Sequence, residues 1–526
     1  MKTNVDYLII GAGPAGLQLG YYLAKNERNY LILEKGSSPG TFFKLFPRHR
    51  ALISINKVYT GSDDPEMNLR WDWNSLLCDS PDLRFKKYSQ QYFPEADTLV
   101  RYLADFATHY DLKVCCDTAV SNISKDNGRF NVMDASGNSY SAQRVIIATG
   151  FSKTYEPSIP GAELCSSYGN HSTDLQQYVN KRVLVVGKGN SAFETANHLN
   201  DVAAAIHVCS PHSIRFAWQS HYVGHLRAVN NDFLDTYQLK SQNTVIDASV
   251  VRIEKRDGQF WVQLAYSHAN GQTALVPYDS VIFCTGFHFD PSIFDNSCAP
   301  ELTLSGKFPA QTTEWESTNV PDLYYAGTLM HACDYRKTMS GFIHGFRYNI
   351  RTLAQIFESK YHDIPWICST SESSPQAVLE KVMDRVQHGS GISLQPGFLG
   401  DVVVISDQER LARHYEDIRL DHVPNCFLGH NNHYYTISLE YGHFQGDPFS
   451  VERDPNPMKG SEASYLHPVI RRYNQSRVVA EHHIQDDLEN NWGKEIYVKP
   501  ARAFFEAQLM RANLAAGKFA HRTVGP

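Results

Sequence analysis

Long apolar runs, paired cysteine motifs and an excess of positive charge are all missing from this sequence. None of its stretches reaches the ~18 consecutive apolar residues of a membrane-spanning helix, so we expect no membrane contact. The sequence has 49 Lys and Arg residues against 56 Asp and Glu, which gives a formal net charge of -7. This charge argues against nucleic acid as the main partner, because binding nucleic acid requires a basic surface. The ten cysteines are scattered and none lies in a Cys-x-x-Cys pair, a pattern typical of reduced thiols in a cytosolic protein.

Targeting and metal-binding features are missing as well. Met1–Tyr7 is polar and does not form the charged segment, apolar segment and cleavage site of a secretory leader. Residues 521–526 do not resemble an ER-retention tail. We therefore expect a cytoplasmic protein. The histidines between positions 430 and 483 have no i, i+4 pairing, and we expect no metal site.

What the sequence does contain is one pattern that occurs twice. In its first copy an apolar run too short for a helix, Tyr7–Ile10, leads into Gly11, Gly13 and Gly16 and then into a helical pattern. In such a G-x-G-x-x-G turn the first glycine permits a tight turn, the second lets the backbone approach a pyrophosphate, and the third lets helix and strand pack closely. Glu34 ends the next apolar run, 18 residues after Gly16, where a ribose hydroxyl needs an acceptor. The first copy therefore predicts a dinucleotide site.

The second copy repeats these offsets with Gly187, Gly189 and Ala192. The strand predicted after it ends at Ser210 without an acidic residue, and Arg215 follows shortly. An acid at that point would repel a 2′-phosphate, whereas Ser and Arg would bind one, so we predict NADPH rather than NADH. Two dinucleotides in one chain are usually a flavin and a nicotinamide, because the flavin takes hydride from the nicotinamide. We therefore predict FAD and NADPH as cofactors.

The two copies alternate along the chain. Each is followed by an Asn-Gly or Asp-Gly hairpin signal and then by a strand that ends in Thr-Gly. We predict an α/β fold with two nested Rossmann-like dinucleotide-binding domains and a C-terminal α+β extension, separated by a linker at Ser369–Pro375. The predicted boundaries are 1–155 for the first part of the FAD-binding domain, 156–287 for the inserted NAD(P)H-binding domain, 288–362 for the return to the FAD-binding domain, and 376–526 for the extension, whose role is unknown.

Longer strings of residues are similar to one family of flavoproteins. The strings are LISINKVYTG at 52–61, GKGNSAFETA at 187–196, HYVGHLRAVNNDFLDTYQLKS at 221–241, DYRKTMSGFIHGFRY at 334–348, LEYG at 439–442 and LHPVI at 466–470. These four internal and two C-terminal segments resemble the FAD-dependent oxidoreductase domain-containing protein 2 family, whose animal members are ER flavoproteins linked to the degradation of misfolded proteins.

The chain also resembles a broader group, the two-dinucleotide-binding flavoproteins that include the flavin-containing monooxygenases. That resemblance implies FAD on the first fingerprint and NADPH on the second. His171-Ser172 resembles the end of the monooxygenase signature F-x-G-x-x-x-H-S, although Cys165 and Ser167 stand where the signature has F and G.

The resemblance also implies site residues. Asn56 lies in a segment similar to the monooxygenase segment whose Asn faces the flavin C4a position, and we predict that its amide donates to a flavin C4a-hydroperoxide. Gly327 is predicted at the FAD phosphates. Gly341 and Phe342 begin a helix whose N–H groups would face the flavin pyrimidine edge. The other predicted cofactor-binding residues are Pro14, Ala15, Lys35, Phe42, Val120, Thr149, Gly150, Asn190 and Ser191.

The predicted function is that of an NADPH-dependent FAD oxidoreductase. Within that class the leading expectation is a flavin monooxygenase that uses molecular oxygen to oxygenate a small-molecule substrate. One alternative is a flavoprotein reductase with another electron acceptor, although a disulfide reductase normally needs a Cys-x-x-Cys pair beside the flavin. A second alternative is a weakly catalytic, flavin-stabilised factor that binds a protein. A homodimer is an open alternative for the quaternary structure.

Overall fold

The computed structural model describes residues 3–239, 242–406, 408–431, 433–443 and 447–520. Its first sheet is mixed, with both parallel and antiparallel pairs of strands. Its inner strands are runs of Ile, Leu and Val buried on both faces, as expected for a parallel sheet between layers of helices. The elements of this first segment are β1 (Thr3–Ile10), α1 (Pro14–Lys25), β2 (Tyr30–Leu33), α2 (Thr41–Leu45), α3 (Pro65–Asn68), α4 (Ala96–His109), β3 (Val114–Cys115), β4 (Val120–Asp126), β5 (Arg129–Asp134) and β6 (Ser139–Ile147). The strand order is β3-β2-β1-β6-β5-β4, and the sheet is parallel from β3 to β6 and antiparallel from β6 to β4.

A second sheet is inserted after the first segment. Its order is β13-β12-β11-β10-β9-β14-β8, and β10 runs parallel to β9 and to β11. Outside it, β7 and β15 pair with each other, so the two connections to the first sheet lie side by side. The elements are β7 (Lys153–Thr154), β8 (Ser166–Ser167), β9 (Arg182–Val186), α5 (Asn190–Leu199), β10 (Ala205–Ser210), α6 (Ala217–Ser220), α7 (Asp232–Gln238), β11 (Thr244–Arg256), β12 (Gln259–Tyr266), β13 (Thr273–Tyr278), β14 (Ser280–Phe283) and β15 (Phe287–His288).

Both predicted hairpin signals form turns. Asn127-Gly128 joins β4 to β5 with φ angles of 48° and 76°, and Asp257-Gly258 joins β11 to β12 with φ angles of 50° and 83°. Two consecutive residues with positive φ are what a tight turn between antiparallel strands requires.

The chain then returns to the first sheet. Its elements here are β16 (Leu302–Thr303), β17 (Phe308–Pro309), β18 (Leu323–Tyr325) and α8 (Ile343–His362). Strand β18 pairs in parallel with β6, with Leu323 opposite Val145. Segments about 180 positions apart in the sequence therefore share one sheet. The predicted fold class is confirmed.

The C-terminal unit is an antiparallel sheet covered by helices. Its strand order is β19-β21-β20-β22-β23-β24. On one face of this sheet, α9 and α11 pack against it and form a separate core. On the other, side chains such as Leu399, Val402 and Ile418 join the same buried core as Leu17 and Tyr348, which belong to the first unit, the part of the chain built on the first sheet. The elements are β19 (Ser369–Glu372), α9 (Pro375–His388), α10 (Ser390–Leu394), β20 (Leu399–Ser406), β21 (Leu411–Arg419), β22 (Tyr434–Glu440), β23 (His467–Asn474), β24 (Arg477–His483) and α11 (Glu495–Ala520).

The prediction of a linker at Ser369–Pro375 is wrong. Residues 369–372 form the edge strand β19, paired with β21, and Ser374 caps α9 by accepting a hydrogen bond from the Ala377 N–H. The Ser and Thr content that suggests a linker instead supplies an edge strand and a helix cap. Among the described residues, no helix combines the length and the apolar character that crossing a membrane would require.

Candidate active site

The three glycines of the first fingerprint occupy three different environments. Gly11 has a φ of +105°, and a Cβ there would lie 2.8 Å from the Ala148 carbonyl oxygen. A Cβ on Gly16 would lie 1.9 Å from the Gly11 oxygen, so the start of α1 packs directly on the turn. A Cβ on Gly13 would meet nothing within 4 Å. The middle glycine thus faces the open space that a pyrophosphate needs, while the outer two are required by the backbone itself.

Donors and an acceptor for a dinucleotide surround this space. Gly13 is the N-cap of α1 and no side chain caps the helix, so its first N–H groups have no side-chain partner. Glu34 is 5% exposed and accepts hydrogen bonds from the N–H groups of Ala12 (2.8 Å) and Gly36 (2.9 Å). Each carboxylate oxygen keeps capacity for another donor, such as a ribose hydroxyl. These residues fit an FAD ribose and pyrophosphate.

The second fingerprint repeats this arrangement. Gly187 has a φ of +131° and a Cβ there would lie 2.2 Å from the Cys284 oxygen, whereas a Cβ on Gly189 would meet nothing within 4 Å. Helix α5 begins at Gly189 without a side-chain cap, and Ala192 is fully buried. These residues fit a second pyrophosphate at the N-terminus of α5.

The side chain of Asn190 has a structural role. Its Nδ2 donates to the His225 carbonyl at 2.8 Å, and its Oδ1 accepts from the Arg227 N–H at 2.9 Å. Asn190 therefore holds the loop that follows α6 against α5, and one N–H of its amide is left for a cofactor. The predicted cofactor contacts of Asn190 and Ser191 stay predictions.

Sequence reasoning missed Asp247 beside the predicted 2′-phosphate position. Parallel pairing of β10 with β11 sets Asp247 next to Ser210. Lys188, from within the second fingerprint, forms an ion pair with Asp247, and the Ser213 hydroxyl donates to it at 2.7 Å. Burial opposes ionisation, but these hydrogen bonds hold the pKa of Asp247 below its usual value. The signal that could have revealed Asp247 is the parallel strand itself, because parallel strands end at the same edge of a sheet.

Arg215 is the residue predicted to supply positive charge to the 2′-phosphate. Its side chain is exposed and makes no ion pair within the described residues, whereas the charge of Lys188 is neutralised by Asp247. We expect Arg215→Ala to weaken NADPH binding roughly ten- to hundredfold and to leave NADH binding unchanged, since one hydrogen bond to a charged group is worth ~1.5–3 kcal/mol. Titration of both nucleotides by fluorescence would measure this. Arg252→Ala, on the exposed face of β11, is the matched control, and an equal loss for NADH would contradict the role.

The side-chain amide of Asn56 is buried, and both of its N–H groups are already hydrogen-bonded within the protein. It is 1% exposed, and its Nδ2 donates to the carbonyls of Ser89 (2.9 Å) and Gln91 (3.1 Å). Its Oδ1 is buried and has no partner. The predicted donation from the Asn56 amide therefore needs correction, because both N–H groups are engaged and only an acceptor is left for a ligand. The predicted position of Asn56 beside the flavin stays a prediction.

The other predicted residues fall into two groups. Gly327 has a φ of +76° and would bring a Cβ within 2.5 Å of the Ala15 side chain, which explains why α1 can approach the turn after β18. Gly341 and Phe342 precede α8, which has no side-chain cap. The residues of the second group make no contact that distinguishes a cofactor site. Pro14 is buried in α1 and Val120 begins β4. Thr149 and Gly150 are half-buried beside β6, whereas Lys35 and Phe42 are exposed.

The predicted signature residue His171 lies at a contact between the first and the inserted unit. The Arg48 guanidinium donates to its carbonyl at 2.6 Å. Beside it, Glu194 accepts from the Tyr168 hydroxyl at 2.9 Å and from the His49 N–H at 3.3 Å. Burial raises the pKa of Glu194 to about 7 and lowers that of His49 to about 3. The motif therefore helps to dock the two units through the Arg48 guanidinium and a cluster of buried side chains.

The sequence matches a known family. The family model described as pyridine nucleotide-disulphide oxidoreductase covers residues 8–327. FAD-dependent oxidoreductase domain-containing protein 2 of Mus musculus is 34% identical over 560 residues, which cover 96% of this chain and 84% of the mouse protein. The chain belongs to this family of pyridine nucleotide-disulphide oxidoreductases. The predicted resemblance is confirmed.

Two solved structures share the fold of the first two units. A bacillithiol disulfide reductase from Staphylococcus aureus has a TM-score of 0.52 at 20% identity, covering 68% of this chain and 99% of that protein. A flavin-containing monooxygenase from Stenotrophomonas maltophilia has a TM-score of 0.52 at 21% identity, with the same coverage of 68% and 99%. At these identities the likeness shows the fold alone. Membership of this flavin oxidoreductase family, together with the two fingerprints, implies FAD and NADPH as the cofactors.

Proposed function

We propose that this chain is an NADPH-dependent flavin monooxygenase that transfers one oxygen atom from molecular oxygen to a small molecule. We propose further that residues 1–155 and 288–362 hold FAD and residues 156–287 hold NADPH. When bound, the flavin accepts hydride from NADPH and passes two electrons to the acceptor. The balanced reaction consumes NADPH, a proton, oxygen and the substrate, and yields NADP⁺, water and the oxygenated product.

The state of the cysteines carries this proposal. All ten are unpaired, and no Cys-x-x-Cys pair is present in the sequence. Burial raises the pKa of Cys284, beside the second fingerprint, to about 12 and that of Cys333, near α8, to about 11. Thiols of this kind stay protonated and are poor nucleophiles. A disulfide substrate would find no Cys-x-x-Cys relay, which favours a diffusible acceptor such as oxygen. Unpaired thiols also support the cytoplasm as the compartment.

Contacts between units lie beside the segments predicted to face the flavin. Arg227 of the inserted unit donates to the Ile53 carbonyl at 3.1 Å and lies over the Trp73 ring, 5.3 Å from its centroid. The Tyr222 hydroxyl hydrogen-bonds to His331 of the first unit at 2.9 Å. The Arg227 contacts tie the inserted unit to the segment that contains Asn56, and the Tyr222 contact ties it to the segment before α8. Such contacts would limit the access of water to a flavin held there, which would favour transfer of oxygen over release of peroxide.

Anaerobic reduction followed by aeration tests the proposal. Purified protein reconstituted with FAD should lose its flavin absorbance when NADPH is added under argon and recover it in air. With isotopically labelled oxygen and a panel of tertiary amines and thioethers, a substrate should take up one labelled oxygen atom per NADPH consumed.

Other outcomes would assign a different acceptor. Reduced protein that stays reduced in air for minutes would overturn the monooxygenase proposal, and reoxidation by glutathione disulfide would assign a disulfide reductase. Flavin that NADPH fails to reduce would favour a binding protein without redox turnover. A homodimer stays a prediction, which light scattering of the same sample would test.

A further inference from the structure

A chain of buried hydrogen bonds joins the inserted unit, the first unit and the C-terminal unit. It begins at Tyr222, in the loop after α6, and passes through His331 and Asp334, between β18 and α8. It continues through Ser340, just before α8, to Gln395, just after α10. Tyr222 is 8% exposed and the other four residues are 3% exposed or less. A fully satisfied buried network of this kind holds its members in one arrangement.

The direction of each hydrogen bond at His331 can be assigned. The backbone N–H of Arg336 points at Nε2 from 3.3 Å, and a backbone N–H can only donate. Nε2 therefore carries a lone pair, and the ring proton is on Nδ1, which lies 3.0 Å from an Asp334 oxygen. The Tyr222 hydroxyl, 2.9 Å from Nε2, must then be the donor. Tyr222 thus recognises one specific tautomer of His331 across the contact between two units.

His331 and Asp334 act directly on the backbone before α8. The second Asp334 oxygen accepts from the Thr338 hydroxyl and from the Ser340 N–H, the latter at 3.2 Å. A Cβ on Gly341 would lie 3.1 Å from the His331 ring, so the imidazole packs against the Gly341 backbone. A shift of His331 would therefore move the residues predicted to face the flavin.

Gln395 reaches the same backbone from the C-terminal unit. Its Oε1 accepts from the Met339 N–H at 2.8 Å, and its Nε2 donates to Ser340 Oγ at 2.9 Å and to Asn349 Oδ1 at 3.0 Å. Asn349 in turn donates to Ser340 Oγ at 2.8 Å. The polar atoms of the Gln395 amide are thus all engaged at the start of α8.

We propose that Tyr222 and Gln395 are positioning residues for the flavin. Tyr222 reaches from the inserted unit and Gln395 from the C-terminal unit, and both fix the backbone at 340–342. The Ser340 N–H donates to Asp334 and the Phe342 N–H donates to the Met339 carbonyl at 3.0 Å, so the Gly341 N–H is the group predicted to face the flavin pyrimidine edge. The C-terminal unit is then part of the redox site, which gives the extension a role. This inference needs bound FAD and the predicted approach of Gly341 and Phe342 to it, but no particular electron acceptor. Failure of the monooxygenase proposal would therefore leave this inference intact, and the reverse also holds.

Gln395→Leu tests the C-terminal side. It leaves the Met339 N–H and Asn349 Oδ1 without their partners, and we expect FAD affinity to fall roughly tenfold, about 1.4 kcal/mol. Reconstitution of apoprotein followed by flavin fluorescence measures this without turnover. Gln376→Leu, on the exposed side of α9 in the same unit, should change nothing.

Gln395→Glu separates positioning from stability. It preserves the shape and the acceptor for the Met339 N–H, but its second oxygen faces Asn349 Oδ1, an acceptor, so the fold is first checked by circular dichroism. The added negative charge near the flavin should make the midpoint potential of bound FAD more negative, because reduction itself adds negative charge there. A potential equal to that of the wild type would overturn the proposal, because it would show that the side chain at position 395 has no influence on the flavin.

A double-mutant cycle tests the connection between the two sides. Tyr222→Phe keeps the ring stacking on His331 and loses only the hydrogen bond. We expect it to slow anaerobic reduction by NADPH roughly tenfold and to leave FAD binding nearly unchanged. Tyr237→Phe, at an exposed tyrosine of the same unit, is its control. Combined with Gln395→Leu, the effects on midpoint potential should be non-additive, as expected for residues of one network. Strict additivity would show that the two residues act independently and would overturn the network.

Discussion

Gly13→Glu is expected to give folded protein that contains no FAD. Gly13 has φ and ψ of -74° and -176°, an extended conformation that any residue can adopt, and nothing lies within 4 Å of a Cβ placed there. The protein itself therefore tolerates the side chain. The space that the side chain would enter is the space for the pyrophosphate, and its negative charge would repel the phosphates. We expect FAD affinity to fall at least a hundredfold, about 2.8 kcal/mol.

The second fingerprint offers the matched control. Gly189 has φ and ψ of -92° and -176°, and a Cβ there also meets nothing within 4 Å. Gly189→Glu should keep the yellow colour of bound FAD and lose reduction by NADPH, whereas dithionite should still reduce the flavin. Circular dichroism and visible absorbance of both variants measure the two losses. Retention of FAD by a well-folded Gly13→Glu variant would remove the first fingerprint from the cofactor site.

The fingerprints could be predicted from the sequence because their geometry is local. In each copy a short apolar run, a glycine turn and a helical pattern lie within about 20 residues, and the backbone requirements of Gly11 and Gly187 follow from the turn itself. The Asn-Gly and Asp-Gly hairpins are equally local. The nested topology could be predicted as well, because the second fingerprint lies between the two segments predicted to form the FAD-binding domain.

Contacts between distant segments could not be predicted in this way. Asp247 reaches the edge predicted to bind NADPH only through the pairing of β10 with β11. The donors of Asn56 are engaged only because the loop at 89–91 folds back over it. Gln395 lies 55 positions from Ser340, in a segment without any motif. A hydrogen bond of this kind depends on tertiary packing, which residue spacing does not encode.

Arg347 shows how one such contact supports the predicted catalytic segment. It lies in α8 and is fully buried, and its guanidinium donates to the carbonyls of Leu69 (2.8 Å), Asp72 (2.9 Å) and Ser75 (2.7 Å). Asp72 in turn pairs with Asn56 in an isolated β-bridge. Arg347 therefore holds a loop without regular secondary structure, which in turn holds the strand-like segment around Asn56.

Arg347→Met is expected to destabilise the protein by roughly 3–5 kcal/mol. The change keeps much of the apolar stem but leaves three buried carbonyls without donors, and each buried group left unsatisfied costs ~1–3 kcal/mol. Arg347→Lys should lose less, because it keeps the charge and can still reach part of the acceptor set. The free energy of unfolding is measured with urea, and hydrogen exchange should report faster exchange at 69–75. Arg101→Met, on the exposed side of α4, is the control and should stay within ~0.5 kcal/mol of the wild type. A loss below about 1 kcal/mol for Arg347→Met would show that water replaces the guanidinium at these carbonyls, and that the loop is held by its own packing.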